Sequence, residues 1–206
     1  ADISRVYNGA DITINGRFAG GAYVQGGVSI GRVVTDDCSL NAAPQALAID
    51  PGSAAVTATR HPNSEPYCHV VPTWTDSYQV KLLGGYRLPY GINVSGNLQN
   101  LSGFSLRAAR TYRNAEILPT LGRNLAAGVN GSVSIPLLTN VQASEKRFTQ
   151  LDLRIIKEVK IGKAKIKGIL DVYNALNSGS IQSVNGTYGA AWLRALSIMP
   201  ARYAKI

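Results

Sequence analysis

From residue 10 to residue 18 apolar and polar side chains alternate without a break. Ala10, Ile12, Ile14 and Phe18 take one set of positions, and Asp11, Thr13, Asn15 and Arg17 take the other. A period of two is that of a β-strand with one apolar and one polar face. After Ala19-Gly20-Gly21 the pattern resumes, with Ala22, Val24, Val28 and Ile30 opposed to Tyr23, Gln25, Gly27 and Ser29. This predicts a hairpin closed by a tight turn. A second hairpin puts Tyr78, Val80, Leu82, Tyr86 and Leu88 on one face, turns at Pro89-Tyr90-Gly91 and continues that face with Ile92, Val94 and Leu98. A third sets Leu151, Leu153 and Ile155 against Gln150, Asp152 and Arg154, turns at Gly162-Lys163, and returns with Ala164, Ile166, Leu170 and Val172. At Ile156-Lys157 the alternation inverts, which predicts a β-bulge.

Between the hairpins, residues 36 to 76, 102 to 147 and 174 to 200 read as long loops, whereas the turns inside the hairpins are short. All nine prolines (44, 51, 62, 66, 72, 89, 119, 136 and 200) are expected in loops or turns, since proline lacks the N–H that a ladder needs. Long loops at one end, tight turns at the other and strands of about ten residues are marks of an outer-membrane barrel. Its apolar face would meet lipid and its polar face a wet lumen. Phe18, Tyr86 and Tyr78 at strand ends would suit interfacial aromatic girdles.

Composition narrows the choice. The chain has 206 residues, 45% of them hydrophobic, with 21 glycines and 10 tyrosines against 1 methionine, a balance that favours extended segments and turns. It is of a size for one domain or part of something larger. It lacks the run of roughly 18 apolar residues that a membrane-spanning helix requires. The net charge of +9 would attract anions in general and specifies no partner. Cys38 and Cys68 are the only cysteines, and a disulfide closing a surface loop in an oxidising compartment is expected. No signal peptide is visible at Ala1, so the chain reads as mature, cytosolic or a fragment.

Residues 148 to 177, FTQLDLRIIKEVKIGKAKIKGILDVYNALN, resemble the penultimate hairpin of TonB-dependent receptors, the plugged outer-membrane barrels that import scarce nutrients. The order carries the resemblance: an LDLR strand, a basic glycine-containing turn, and a strand ending Asp171-Val172-Tyr173-Asn174-Ala175-Leu176-Asn177. YNGADITINGRF, LPYGINVSG, PTLGRNLAAG and YGAAWLRALSIMPAR are similar to the large receptors with a carboxypeptidase-regulatory-like N-terminal domain. The resemblance implies an all-β fold: an antiparallel up-and-down transmembrane barrel segment, about seven strands of a barrel of about 22. Six strands are read here, with a seventh beginning near Ala201. Residues 1 to 206 would then be the C-terminal part of the barrel, without the plug, the TonB-interaction box or the closing residues. The implied function is TonB-dependent import of a large or scarce ligand across the outer membrane. The implied partners are outer-membrane lipid and lipopolysaccharide, the TonB complex acting through the plug, and an unspecified cargo. A surface binding or adhesion barrel without import, and a soluble secreted β-domain, are the alternatives.

Candidate chemistry is sparse. Cys38, His61, Cys68 and His69 match no zinc spacing, and neither a metal nor another cofactor is expected. The sequence holds no GxSxG, HExxH or phosphate-binding glycine loop, so an enzyme is not expected. Lys157, Lys160, Lys163, Lys165 and Lys167 surround a tight turn without interleaved aromatics and read as a solvated turn rather than a nucleic-acid site, with Lys157 placed to snorkel. The ligand-contact candidates are in the loops: Arg107, Arg110, Tyr112, Arg113 and Arg123 in the second, and Tyr188, Trp192 and Arg194 in the third. Guanidinium forks and aromatic surfaces suit an anionic or aromatic-bearing ligand.

Overall fold

A computed structural model describes residues 3–42, 65–139 and 143–206. The first hairpin consists of β1 (Ser4–Arg17) and β2 (Tyr23–Asp36). A short helix, α1 (Glu65–Cys68), and a two-residue strand, β3 (His69–Val70), precede the second hairpin, β4 (Gln79–Leu88) and β5 (Ile92–Leu101). The following excursion contains β6 (Ala109–Arg113), the helix α2 (Asn114–Leu121) and β7 (Ser132–Pro136). The third hairpin is β8 (Phe148–Ile161) and β9 (Ala164–Tyr173), after which come β10 (Ile181–Val184), β11 (Ala195–Ile198) and β12 (Tyr203–Lys205).

The fold is all-β and antiparallel. Its main sheet runs β1-β2-β4-β5-β8-β9-β12, with β3 added against the end of β2. The sheet is open, with β1 and β12 at its edges. Tyr203 enters it opposite Tyr173, the two rings stacked with centroids 4.7 Å apart.

Cross-strand pairing settles which residues share a face, because directly opposed residues point the same way. Ile12 lies opposite Val28, and Val28 opposite Val80. Leu82 lies opposite Leu98, and Leu98 opposite Leu151. Ile155 lies between Val94 and Leu170, and Leu153 lies opposite Val172. One face of the sheet is therefore apolar from β1 to β9. The other carries Asp11, Gln25, Lys81, Asn97, Asp152, Arg154 and Asp171. On that polar face Arg154 grips Asp171 with two hydrogen bonds of 2.6 and 2.9 Å.

No second layer covers the apolar face among the described residues. The extensive contacts of the sheet are with hydrogen-bonded neighbours and adjoining turns. Among the described residues Cys68, Ala108 and Met199 are the buried apolar ones, all outside the main sheet, while Ile12 is 73% exposed. A soluble sheet would bury such a face against a helix or a second sheet.

The turns at residues 18–22, 89–91 and 162–163 share one end, and the long connections share the other. Gly20 and Gly21 both have φ of 81°, a conformation open to glycine and costly for other residues. Cys38 and Cys68 are joined as a disulfide with Cα atoms 4.8 Å apart. Beside it Asp37 N–H donates to the Cys68 carbonyl, and His69 Nδ1 lies 3.1 Å from Asp36 Oδ2.

Several expectations need correction. No bulge interrupts β8 at Ile156-Lys157, where the register with β5 and β9 is continuous. Lys157 occupies an apolar-face position and donates from Nζ to the Tyr90 carbonyl at 2.6 Å, so its stem satisfies the face while its charge leaves it. The prolines are not confined to loops: Pro66 is in α1, Pro119 is inside α2 and Pro136 ends β7. Pro44, Pro51, Pro62 and His61 lie outside the described residues. The second and third loops contain their own small sheets, β6-β7 and β10-β11.

Candidate functional site

Four of the eight candidates are set by β6 and the helix that follows it. Arg110 and Tyr112 are two residues apart on β6 and share a face, which brings the Arg110 guanidinium to 4.5 Å from the Tyr112 ring centroid. Arg110 Nη2 also pairs with Glu116 Oε1 at 3.0 Å. The other carboxylate oxygen of Glu116 accepts the Arg113 backbone N–H at 2.9 Å. An acid in the first turn occupies the positive end of the helix dipole and takes up an N–H that the helix leaves unpaired. Arg123 follows the left-handed Gly122 (φ 70°) that ends α2.

Asn114 closes this unit from within. It is 4% exposed, donates to Asn124 Oδ1 and accepts the Leu125 N–H, both at 2.8 Å. Its own N–H reaches the Gly131 carbonyl at 2.8 Å.

The third-loop candidates come to the same place through backbone pairing. Ala109 N–H donates to the Gly186 carbonyl at 3.0 Å, and Tyr188 N–H returns to the Ala109 carbonyl at 2.8 Å. Trp192 Nε1 donates to the Arg107 carbonyl at 2.9 Å, and its ring is tilted against that of Tyr188 with centroids 5.7 Å apart. Arg107, Tyr188 and Trp192 thus form one surface built from two loops. Arg194 closes the connection between β10 and β11 through its carbonyl, which accepts the Asn185 N–H at 2.9 Å.

Charge divides the arginines. The Arg110 charge is offset by Glu116, whereas Arg107, Arg113, Arg123 and Arg194 are exposed and form no ion pair among the described residues. The arrangement can hold an anion by charge and a flat group by stacking; it offers no nucleophile with an adjacent base. Below the same loops, on the polar side of the sheet, Thr73, Asp76, Ser77, Gln79, Ser102 and Ser105 line a cleft of about 400 Å³. The Lys160–Lys163 turn is at the opposite end of the strands.

Glu116 supplies a pH test. The Arg113 N–H foremost, and the nearby Arg110 and Arg113 charges after it, hold its carboxyl below the ordinary glutamate range. A lowered folded value means that its contribution is present above the unfolded value and is lost as pH falls through the folded one. Protection of the Arg113 amide, taken relative to its intrinsic exchange rate at each pH, should therefore fall as pH drops below the ordinary glutamate range, and Glu116→Gln should remove most of that step. An Arg113 amide whose protection is indifferent to pH in this range would disprove the link.

Glu116 and Asn114 are absent from the sequence-based site. The signal available was an acid three residues after Arg113 ahead of an apolar turn, the spacing of a helix start. The backbone link between Ala109 and residues 186–188 leaves no such trace. Comparison with known protein families, curated proteins and solved structures finds no match to this chain.

Proposed function

We propose that this chain is part of an outer-membrane β-barrel receptor of the TonB-dependent kind, which takes up a large or scarce ligand through its long-loop end. The observation that carries this reading is the uncovered apolar face, continuous over six strands, opposed to a polar face rich in hydrogen bonds. Lipid is the solvent that makes such a sheet stable, provided further strands pair with its two edges.

The height of the face agrees. On β8 its apolar positions run from Leu151 to Ile161, interrupted at Lys157, ten steps or about 33 Å along the strand. At a barrel tilt of about 35–45° that becomes about 25 Å, the height of an outer-membrane apolar band. The joined second and third loops then face outward with their unpaired arginines.

Fractionation and the full reading frame test the proposal. The protein should appear in the outer-membrane fraction and need detergent for extraction, and a plug with a TonB-interaction box should be encoded ahead of residue 1. Recovery as a soluble protein sinks the membrane reading. A membrane protein without plug or box is a surface-binding barrel instead.

The loop arginines are tested by salt. Replacing Arg107, Arg110 and Arg113 together by Gln should weaken uptake several-fold more at low ionic strength than at high, because salt already screens exposed charge. Arg110→Gln alone should do less, since Glu116 offsets that charge. Replacing Lys160 and Lys163 should leave uptake unchanged. Uptake that survives the triple change at every salt concentration removes these arginines from the site.

A further inference from the structure

Near its long-loop margin the apolar face carries two arginines with no carboxylate beside them among the described residues. Arg32 is on β2, two residues beyond Ile30 and on the same face. Its guanidinium lies 4.7 Å from the Trp74 ring centroid, and its Nη1 donates to the Pro72 carbonyl at 3.3 Å. Arg147 immediately precedes β8. Its Nε donates to Asn100 Oδ1 at 2.8 Å, and Asn100, two residues beyond Leu98, marks the upper limit of the apolar face beside Thr149. The Arg147 guanidinium packs 3.6 Å from the Tyr78 centroid, with Nη2 on the Tyr78 carbonyl at 2.7 Å.

Both cations are half-buried, and each keeps one enclosed nitrogen without a partner, Nε in Arg32 and Nη1 in Arg147. An aromatic ring behind a guanidinium fixes its plane and leaves its charge unneutralised. Partly desolvated charge without a counter-ion is costly, so an anion at this position is favoured. The segment Pro72–Tyr78 supplies both rings, and the apolar surface of Ile30, Val80 and Leu98 starts directly below.

We propose that Arg32 and Arg147, backed by Trp74 and Tyr78, dock the phosphate groups of an outer-leaflet lipid whose acyl chains lie on the apolar face. The inference rests on the membrane reading above. A phosphate offers the charge and the oxygen geometry that guanidinium forks match. Continuity with the apolar surface selects a lipid-borne phosphate over a free one. This rim is distinct from the loop surface of Arg107 and Trp192.

Native mass spectrometry in detergent tests it, with equimolar lipid A carrying both phosphates and the same lipid dephosphorylated. The protein should retain the phosphorylated lipid in preference by about tenfold, the value of one charge-assisted hydrogen bond or more. Arg32→Gln with Arg147→Gln should bring the ratio to about one. If that variant does not fold, Arg32→Lys with Arg147→Lys decides, because it keeps the charge and loses the fork; its ratio should fall to a few-fold. Equal retention of the two lipids by the unaltered protein, or an unchanged ratio in the variant that folds, overturns the site. Millimolar inorganic phosphate should not alter the ratio, and abolition of the preference by it would make this a free-phosphate site instead. A protein that needs no detergent overturns the membrane reading itself, whereas a detergent-requiring protein without lipid preference overturns only this site.

Discussion

Lysine in place of Leu82 or Val94 is expected to cost about 2–4 kcal/mol of folding free energy in a bilayer, and lysine in place of Gln79 close to nothing. The difference follows from register. Leu82 is flanked by Gly26 and Leu98, and Val94 by Tyr86 and Ile155, so both lie inside the apolar face at mid-strand. Gln79, opposite Ser29, is on the polar face. Asn93 shares that polar face but accepts from Arg87 Nε at 3.3 Å, so lysine there also removes a bond and adds a like charge, making Gln79 the cleaner reference. Denaturant unfolding from lipid vesicles measures the costs. Equal tolerance at Leu82 and Gln79 would mean that the two faces meet the same medium, which ends the barrel reading.

Asn174→Ala should destabilise by about 3 kcal/mol, from three lost hydrogen bonds at a buried site. Asn174 is 3% exposed. Its amide donates to the Ser178 and Pro200 carbonyls at 3.0 and 2.9 Å, and its oxygen accepts the Ser178 N–H at 2.9 Å. The Asp152 carboxylate receives its backbone N–H at 2.9 Å. One side chain thus ties the end of β9 to the start of the third loop and to the chain leading into β12. Asn177 is the control: it has the same left-handed backbone (φ 51° against 50°) but is exposed, and among the described residues its side chain accepts one bond, from the Arg202 N–H. Asn177→Ala should cost about 1 kcal/mol. Since both variants lose the residue that tolerates this backbone, the gap between them isolates burial. Equal shifts in the unfolding midpoint would show that backbone conformation, not the hydrogen bonds, makes Asn174 important.

Elements long enough to repeat their pattern are the ones the sequence makes legible. In the three hairpins the period of two recurs four or more times, and Ile12, Val28, Leu82, Val94, Leu153 and Leu170 all fall on the expected face. β3 has two residues and β10 and β11 have four each, too few alternations to stand out from a loop. Pro119 reads as a loop marker and so masks α2, although the left-handed Gly122 behind it supplies a helix stop with its N–H on the Leu118 carbonyl. Lys157 imitated a slip because its stem is apolar and its tip is not. The candidate site was half legible: residue types identify loop cations and rings, but the pairing of Ala109 with residues 186–188 depends on backbone atoms that every residue has.

The clasp at Cys38 and Cys68 has a consequence for how this surface can change. It fixes the two ends of a 30-residue separation at a Cα distance of 4.8 Å, and β3 repeats the closure one step further along. The sheet therefore meets the same two anchor points whatever the intervening length. Doubling a closed loop costs only about 0.6 kcal/mol in chain entropy. Changes of length between these cysteines are therefore expected to leave the register of β2 and β4 undisturbed. That makes the segment a position for displaying foreign peptides in the laboratory.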